Sequence, residues 1–271
     1  MIDALTEFGL LAARDARRAT HSGRGLFLLF LTVVGTATVT AVFNQLGAHA
    51  SSPPGLIEKA AEWLFGGREV AQVVATAPPL LIVLFILTVW LSPLLVAIIG
   101  FDCIAGDLHA RSIRYTALRV RRETYLLAKF AGLVATVACL SLVAYTYATV
   151  SLARHSPTFG APVIAWGVRL WVTSTLIATV WCAFATLLSS LSRSLTTCLL
   201  MTLASFASLW GLRIIGRMYD IAPLQYFYPN TFDSLLLHPS LGTNLLGVGA
   251  CLLQSAAYLT VGAQRFSKRD L

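Results

Sequence analysis

DCIAGDLHARSIRYTALRVRRETYLLAKF, residues 102 to 130, decides how the rest of the chain reads, because it is a dense charged island between two long apolar runs. It holds six of the twenty Lys and Arg residues. From Asp107 the order is a short acidic start, an amphipathic stretch with Arg111, Arg114, Tyr115 and Leu118, then a basic knot at Arg119, Arg121 and Arg122 that runs on to Lys129. Such a segment suits the cytoplasmic face of a membrane. Its basic groups stay in water while Ile113, Leu118, Leu126 and Leu127 turn towards apolar neighbours.

The composition on either side agrees. The 271 residues are 57% hydrophobic and only 12% charged, with a mean hydropathy of +0.75, which excludes an ordinary soluble domain. Charge-free windows run over 25–57, 70–101, 130–153, 170–192, 194–212 and 234–264. Each is about as long as the ~20 residues that cross a bilayer as a helix, or longer, so six transmembrane helices are expected. The stretch 155–168, with Pro157, Gly160 and Pro162, is too short and broken for a seventh. Fourteen Lys and Arg residues fall on the side of the N-terminus, the island, Arg193 and the tail, against six on the other side. The positive-inside rule then puts both termini in the cytoplasm. The net charge of +8 follows from this bias and from attraction to anionic membrane lipids, and no nucleic-acid partner is expected.

Residues 2–20 place Ile2, Leu5, Phe8, Ala12, Ala16 and Ala19 at helical spacing, an amphipathic pattern that suits the inner leaflet. A solvated basic N-terminus is the plainer alternative. In the first span Thr32, Thr36 and Thr40 form a stripe near Gly35 that could let another helix approach. Ala48-His49-Ala50 imitates a signal-peptidase site, but the apolar run before it exceeds the roughly 7–15 residues of a signal sequence. Ser52-Pro53-Pro54 opens a short outer helix that Gly66-Gly67 ends, and Pro93 predicts a kink in the second span. Residues 213–240 mix Arg213, Arg217, Asp220 and Asp233 with Ile214, Ile215, Leu224 and Tyr226–Tyr228, broken by Pro223, Pro229 and Pro239. That mixture fits short helices dipping into the outer leaflet, with Arg213, Arg217 and Asp220 lining or capping an outer mouth; an aromatic belt at the interface is the alternative.

The order Asp107, Arg111, Ser112, Ile113, Arg114, Tyr115, then Val120, Arg122, Tyr125, Leu126 and Lys129 resembles the loop between the second and third helices of ABC-2 type (type V exporter-like) transporter permeases. The chain departs from that pattern at Arg119, where the family usually has proline, and at Ala128, where it usually has glycine. The short inner loop Ser189–Ser194 with Arg193, and the ending Gln264 to Leu271 with Phe266, Lys268, Arg269 and Asp270, are similar to the same family, so the resemblance covers nearly the whole chain. It implies a short coupling helix in the island, an N-terminal interfacial helix beside an ATPase, and a re-entrant helical pair before the last span.

A single all-α membrane domain is expected: an interfacial helix in 1–25, spans at 26–46, 77–100, 130–151, 166–188, 195–213 and 241–262, a coupling loop at 101–129, an outer re-entrant segment at 214–240 and a tail at 263–271. The resemblance implies two cytoplasmic ABC ATPase subunits that bind ATP and Mg²⁺, a second permease, most simply a homodimer, and contact through Asp107, Arg111, Arg114, Arg121 and Arg122. Anionic-lipid anchoring is the other reading of those arginines.

The chemistry that is missing narrows the choice. There is no GxxxxGK[ST], HExxH or GxSxG, and the five histidines are scattered, so the chain is expected to be no enzyme and to hold no cofactor or metal. The five cysteines, Cys103, Cys139, Cys182, Cys198 and Cys251, lie on no metal-ligand spacing. Span centres lack the charges of ion-coupled carriers. The expected function is a plasma (inner) membrane permease, exporting a lipid-like, amphipathic or peptide cargo. Alternatives are a non-conducting ABC subunit that passes motion to an extracytoplasmic partner, for example in metalloenzyme maturation, and an ATP-independent carrier or membrane enzyme.

Overall fold

A computed structural model describes residues 4–49, 68–101, 103–109, 121–155, 160–192, 194–219 and 221–268. Every regular element among them is helical, and six helices are long and apolar enough to cross a membrane. The chain is an all-α membrane protein. The elements are α1 (Ala4–His21), α2 (Gly23–His49), α3 (Arg68–Ala75), α4 (Pro79–Gly100), α5 (Ala105–His109), α6 (Arg122–His155), α7 (Ala161–Leu191), α8 (Leu195–Met218), α9 (Ala222–Tyr226), a 3-10 turn (Pro229–Phe232), α10 (Asp233–Leu236) and α11 (Leu241–Ser267). The short helix expected between Ser52 and Gly67 lies outside the described residues.

Local chemistry sets the helix starts. Ser22 Oγ accepts from Gly25 N at 3.1 Å, Ser194 Oγ from Thr197 N at 3.2 Å and Ser240 Oγ from Thr243 N at 3.4 Å, each relieving an N-terminal amide that has no helical partner. Pro79 and Pro162 stand in the first turns of α4 and α7, where a missing N–H costs nothing. The helices run past the apolar runs. Arg122–Lys129, read as loop from the sequence, are the first turns of the 34-residue α6. Ala161–Val168 likewise belong to α7, and Arg213 and Arg217 to α8. Pro93 does not interrupt α4, which is continuous from Pro79 to Gly100.

Helix α7 is the axis of the bundle. Of its most apolar stretch 67% is buried, against 17% for α2 and 22% for each of α8 and α11. It packs on α4, α6 and α11. Between helices in lipid no apolar surface is withdrawn from water, so close packing and satisfied hydroxyls must hold the contact. The buried face of α7 is accordingly rich in small residues, among them Thr173, Ser174, Ala178, Ala183, Ala185 and Thr186. Thr173 and Thr186 donate to the carbonyls of Arg169 and Cys182, one turn back, at 2.9 and 2.7 Å, so these two hydroxyl hydrogens are satisfied within the helix itself. Two glycines allow backbones to meet. A Cβ on Gly100 would lie 2.9 Å from Leu133 Cδ2 and 3.3 Å from Ala185 Cβ, and one on Gly247 would lie 3.1 Å from the backbone N of Leu236. Among the described residues Gly35 has no such neighbour, although Thr36 and Thr40 beside it are buried.

On the amphipathic face of α1, Phe8 and Ala12 are half-buried. α1 lies along α6, and Asp15 of α1 meets Lys129 of α6. The last turns of α11 come to the same place, where Arg122 Nη1 donates to Ser267 O at 2.8 Å. The beginning and end of the bundle thus share one end with α5.

Candidate functional site

At that terminus-bearing end, a cluster of charge forms where α4 gives way to α5. Tyr125 and Lys129 are four apart on α6, and therefore on one face. Lys129 Nζ lies 2.8 Å from Asp107 Oδ2 on α5 and 3.1 Å from Asp15 Oδ2 on α1. Tyr125 Oη donates to Asp107 Oδ2 at 2.5 Å. Burial disfavours the lysine charge, but two carboxylates in direct contact outweigh that cost and hold the ammonium charged. An apolar floor lies beneath: Tyr125 stacks on Phe266 of α11 at 6.1 Å between ring centres, with Ile104 and Leu126 buried beside it. One lysine therefore fastens α1, α5 and α6 together, and the tyrosine ring adds α11.

The step from α4 to α5 is secured by a single hydroxyl. Ser189 Oγ of α7 accepts from the amides of Ile104 at 3.1 Å and Ala105 at 3.0 Å, and donates to Phe101 O at 3.1 Å. Cys198 Sγ of α8 also donates to Phe101 O, at 2.8 Å. A hydroxyl has one hydrogen and two lone pairs, and all three are used here. Ser189→Ala is expected to leave two amides without that acceptor in a buried site and to cost about 1–3 kcal/mol. Hydrogen-exchange mass spectrometry should show faster exchange in the peptide covering Ile104 and Ala105, with α11 unchanged.

Of the island residues singled out from sequence, Asp107 sits at the centre of this cluster. Arg122 reaches the end of α11, and Arg121 is exposed. Arg111 and Arg114 lie outside the described residues. Sequence reasoning named Lys129 as the end of the basic knot and Tyr125 only as part of the resemblance; their four-residue spacing was the available signal. Nothing in the sequence pairs Asp15 with them.

The opposite end carries a second polar network. Arg213, expected at an outer mouth, is buried, its guanidinium 4.9 Å from the centre of the Tyr228 ring. Arg217 belongs to α8, and Asp220 lies outside the described residues. Trp181 of α7 is fully buried and packs edge-on against Phe206 at 4.8 Å and Tyr228 at 5.3 Å. Its Nε1 donates to Asn230 Oδ1 at 2.8 Å, and Asn230 Nδ2 donates to Val89 O of α4 at 2.9 Å. Gln254 Nε2 of α11 donates to Phe227 O at 3.3 Å, and Arg169 Nη2 of α7 to Leu237 O at 3.2 Å. These bonds hold residues 227–237 between α4, α7 and α11. His238 Nδ1 accepts from Ser240 N at 3.1 Å, which leaves the ring hydrogen on Nε2, 3.0 Å from Glu69 of α3.

All five cysteines are thiols, and among the described residues no group of three or more His, Cys, Asp or Glu side chains could hold a metal ion. The geometry offers mechanical linkage between elements. No protein-family model matches the chain, and no curated protein matches it.

Proposed function

We propose that the chain is the membrane-spanning subunit of an ABC-2 type transporter, working as a pair of identical chains with two separate ATPase subunits that bind ATP and Mg²⁺. The observation that carries this reading is the Asp107–Lys129–Asp15 cluster. A short helix between the second and third span-length helices is fastened to α1 and α6 by buried charge, so a push on the island is delivered to whole helices. A loose loop would absorb the same push. Export of a lipid-like, amphipathic or peptide cargo across the plasma (inner) membrane fits the apolar walls. The excess of Lys and Arg on the terminus-bearing side orients both termini to the cytoplasm, where Arg111, Arg114 and Arg121 would meet the ATPase.

The second reading, a non-conducting subunit that hands motion to an extracytoplasmic protein, draws support from the bonds that hold residues 227–237 to three helices. A segment so tied can carry force as well as line a path.

The test is affinity purification of the chain from its native membrane in mild detergent, comparing wild type with Arg111→Ala/Arg114→Ala/Arg121→Ala. These changes spare the half-buried Asp107. An ATPase should accompany the wild type and be lost from the triple variant. If no ATPase accompanies the wild type, the transporter reading fails.

A further inference from the structure

Helix α4 contains a proline two-thirds of the way along it, and the way the protein deals with it links the 3-10 turn to the α4–α5 junction. Pro93 has no N–H, so the carbonyl of Val89, one turn earlier, lacks its ordinary helical donor. That oxygen is buried and has two lone pairs to satisfy. Ser92 Oγ supplies a local donor at 2.8 Å, and Asn230 Nδ2, from the 3-10 turn, supplies the other at 2.9 Å. The Asn230 amide cannot turn round, because Trp181 Nε1 requires its oxygen at 2.8 Å. Asn230 itself is only 1% exposed.

Both grips on α4 lead back to α7, with Cys198 of α8 added at Phe101. Trp181 holds it through Asn230 at Val89, and Ser189, two turns further along α7, holds it at Phe101, Ile104 and Ala105. Between Val89 and Phe101 runs a lever of about 18 Å, at 1.5 Å per residue. Pro93 is its one point without a complete hydrogen-bond ladder. Gly100, packed against Leu133 and Ala185, leaves the lever's end no room to drift sideways while the grips hold.

We propose that Asn230 is a positioning residue that fixes the pivot of α4 at Pro93, so that displacement of the 229–232 turn is transmitted to the α4–α5 junction beside Asp107. With Asn230 withdrawn, Val89 O keeps only the Ser92 hydroxyl. The half of α4 beyond Pro93 is then held only at the junction and can turn about Phe101, which loosens the packing at Cys103. This linkage lies within one chain and holds whatever drives the protein, so it stands or falls independently of the ATPase reading.

The test uses Cys103, half-buried at the junction, as a native reporter. Full-length chain in lipid nanodiscs is treated with a charged maleimide, and labelling of Cys103 is followed by peptide mass spectrometry in wild type, Asn230→Leu, Pro93→Ala and the double variant. Asn230→Leu is expected to speed labelling at least about fivefold, the size of effect expected from a buried carbonyl losing a donor. In the Pro93→Ala background, where residue 93 regains an N–H for Val89 O, the same substitution should change the rate less than about twofold. An effect of equal size in both backgrounds would mean that Asn230 only packs the fold, and no effect in either would mean that nothing is transmitted; both overturn the proposal. Should Asn230→Leu not yield folded protein, Trp181→Phe frees the amide to rotate while keeping the aromatic contacts. The same comparison with Pro93→Ala then decides.

Discussion

Lys129→Met is expected to lower the stability of the folded chain by about 2–4 kcal/mol, read as a fall in thermal or denaturant midpoint in mild detergent. Methionine keeps the length and packing of the lysine stem, so the loss reports the charge. Without the ammonium, the Asp15 and Asp107 carboxylates are left together in a site where their side chains are only 19% and 21% exposed. Removing one partner of a buried pair leaves the other uncompensated, and here two carboxylates lose their shared cation, Asp107 keeping the Tyr125 hydroxyl. Partial exposure of the carboxylates keeps the expected cost below the top of the usual range for such losses. Lys129→Met combined with Asp15→Asn and Asp107→Asn should recover much of the stability, since three neutral groups of similar shape can still pack. A single-variant loss under about 0.5 kcal/mol would class the cluster with exposed surface pairs, which contribute little, and would remove the rigid link on which the proposed function rests.

Trp181→Ala is expected to cost about 3–5 kcal/mol, and Trp181→Phe about 1–2 kcal/mol. The tryptophan is fully buried at the crossing of α7, α8 and the 227–232 segment, in contact with Phe184, Phe206 and Tyr228. Truncation to alanine leaves a cavity that the neighbouring rings can only partly fill. In a bilayer the unfolded reference is itself apolar, so the loss comes chiefly from contacts rather than from exposure to water. Phenylalanine keeps one aromatic ring against its neighbours and removes the donor to Asn230 together with a small part of the packing. The gap between the two variants therefore separates packing from hydrogen bonding. Equal losses would show that the Trp181–Asn230 bond, and not the ring, anchors the segment.

The six span-length helices were legible because charge is absent from six stretches and a bilayer demands that each helix satisfy its own backbone. Helix ends were less so, because hydrophobicity reports where lipid begins, not where hydrogen bonding stops. Arg122–Lys129 stay helical because α1 packs along α6 and Asp107 of α5 meets Tyr125 and Lys129 on that extension, and Ala161–Val168 because proline in a first turn starts a helix as well as it breaks one in the middle. Arg213 looked like a loop charge for the same reason; with α8 continuing beneath it, the side chain turns inward onto Tyr228. At the candidate site, Asp107 stood out as an acid between apolar runs, and Tyr125 with Lys129 could be placed on one face by counting. Asp15 could not, since it reaches Lys129 only through the packing of α1 on α6, a tertiary choice with no local signature. Pro93 announced that a carbonyl would need a donor, but nothing near it in sequence named Asn230.

The distance along the chain between those two residues has a consequence for how the protein is made. Asn230 donates to a carbonyl 141 positions earlier, and at about 5–20 residues per second a ribosome takes roughly 7–28 s to span that gap. Throughout that interval α4 is already synthesised while its missing donor is not. The Ser92 hydroxyl, present from the start, is the stopgap that keeps the unfinished helix tolerable in lipid. Arrival of residues 227–237 then closes the hydrogen-bond account of a helix made much earlier, so maturation of the bundle is completed from its C-terminal third, and a chain truncated before Asn230 would leave the insertion machinery with α4 still incomplete.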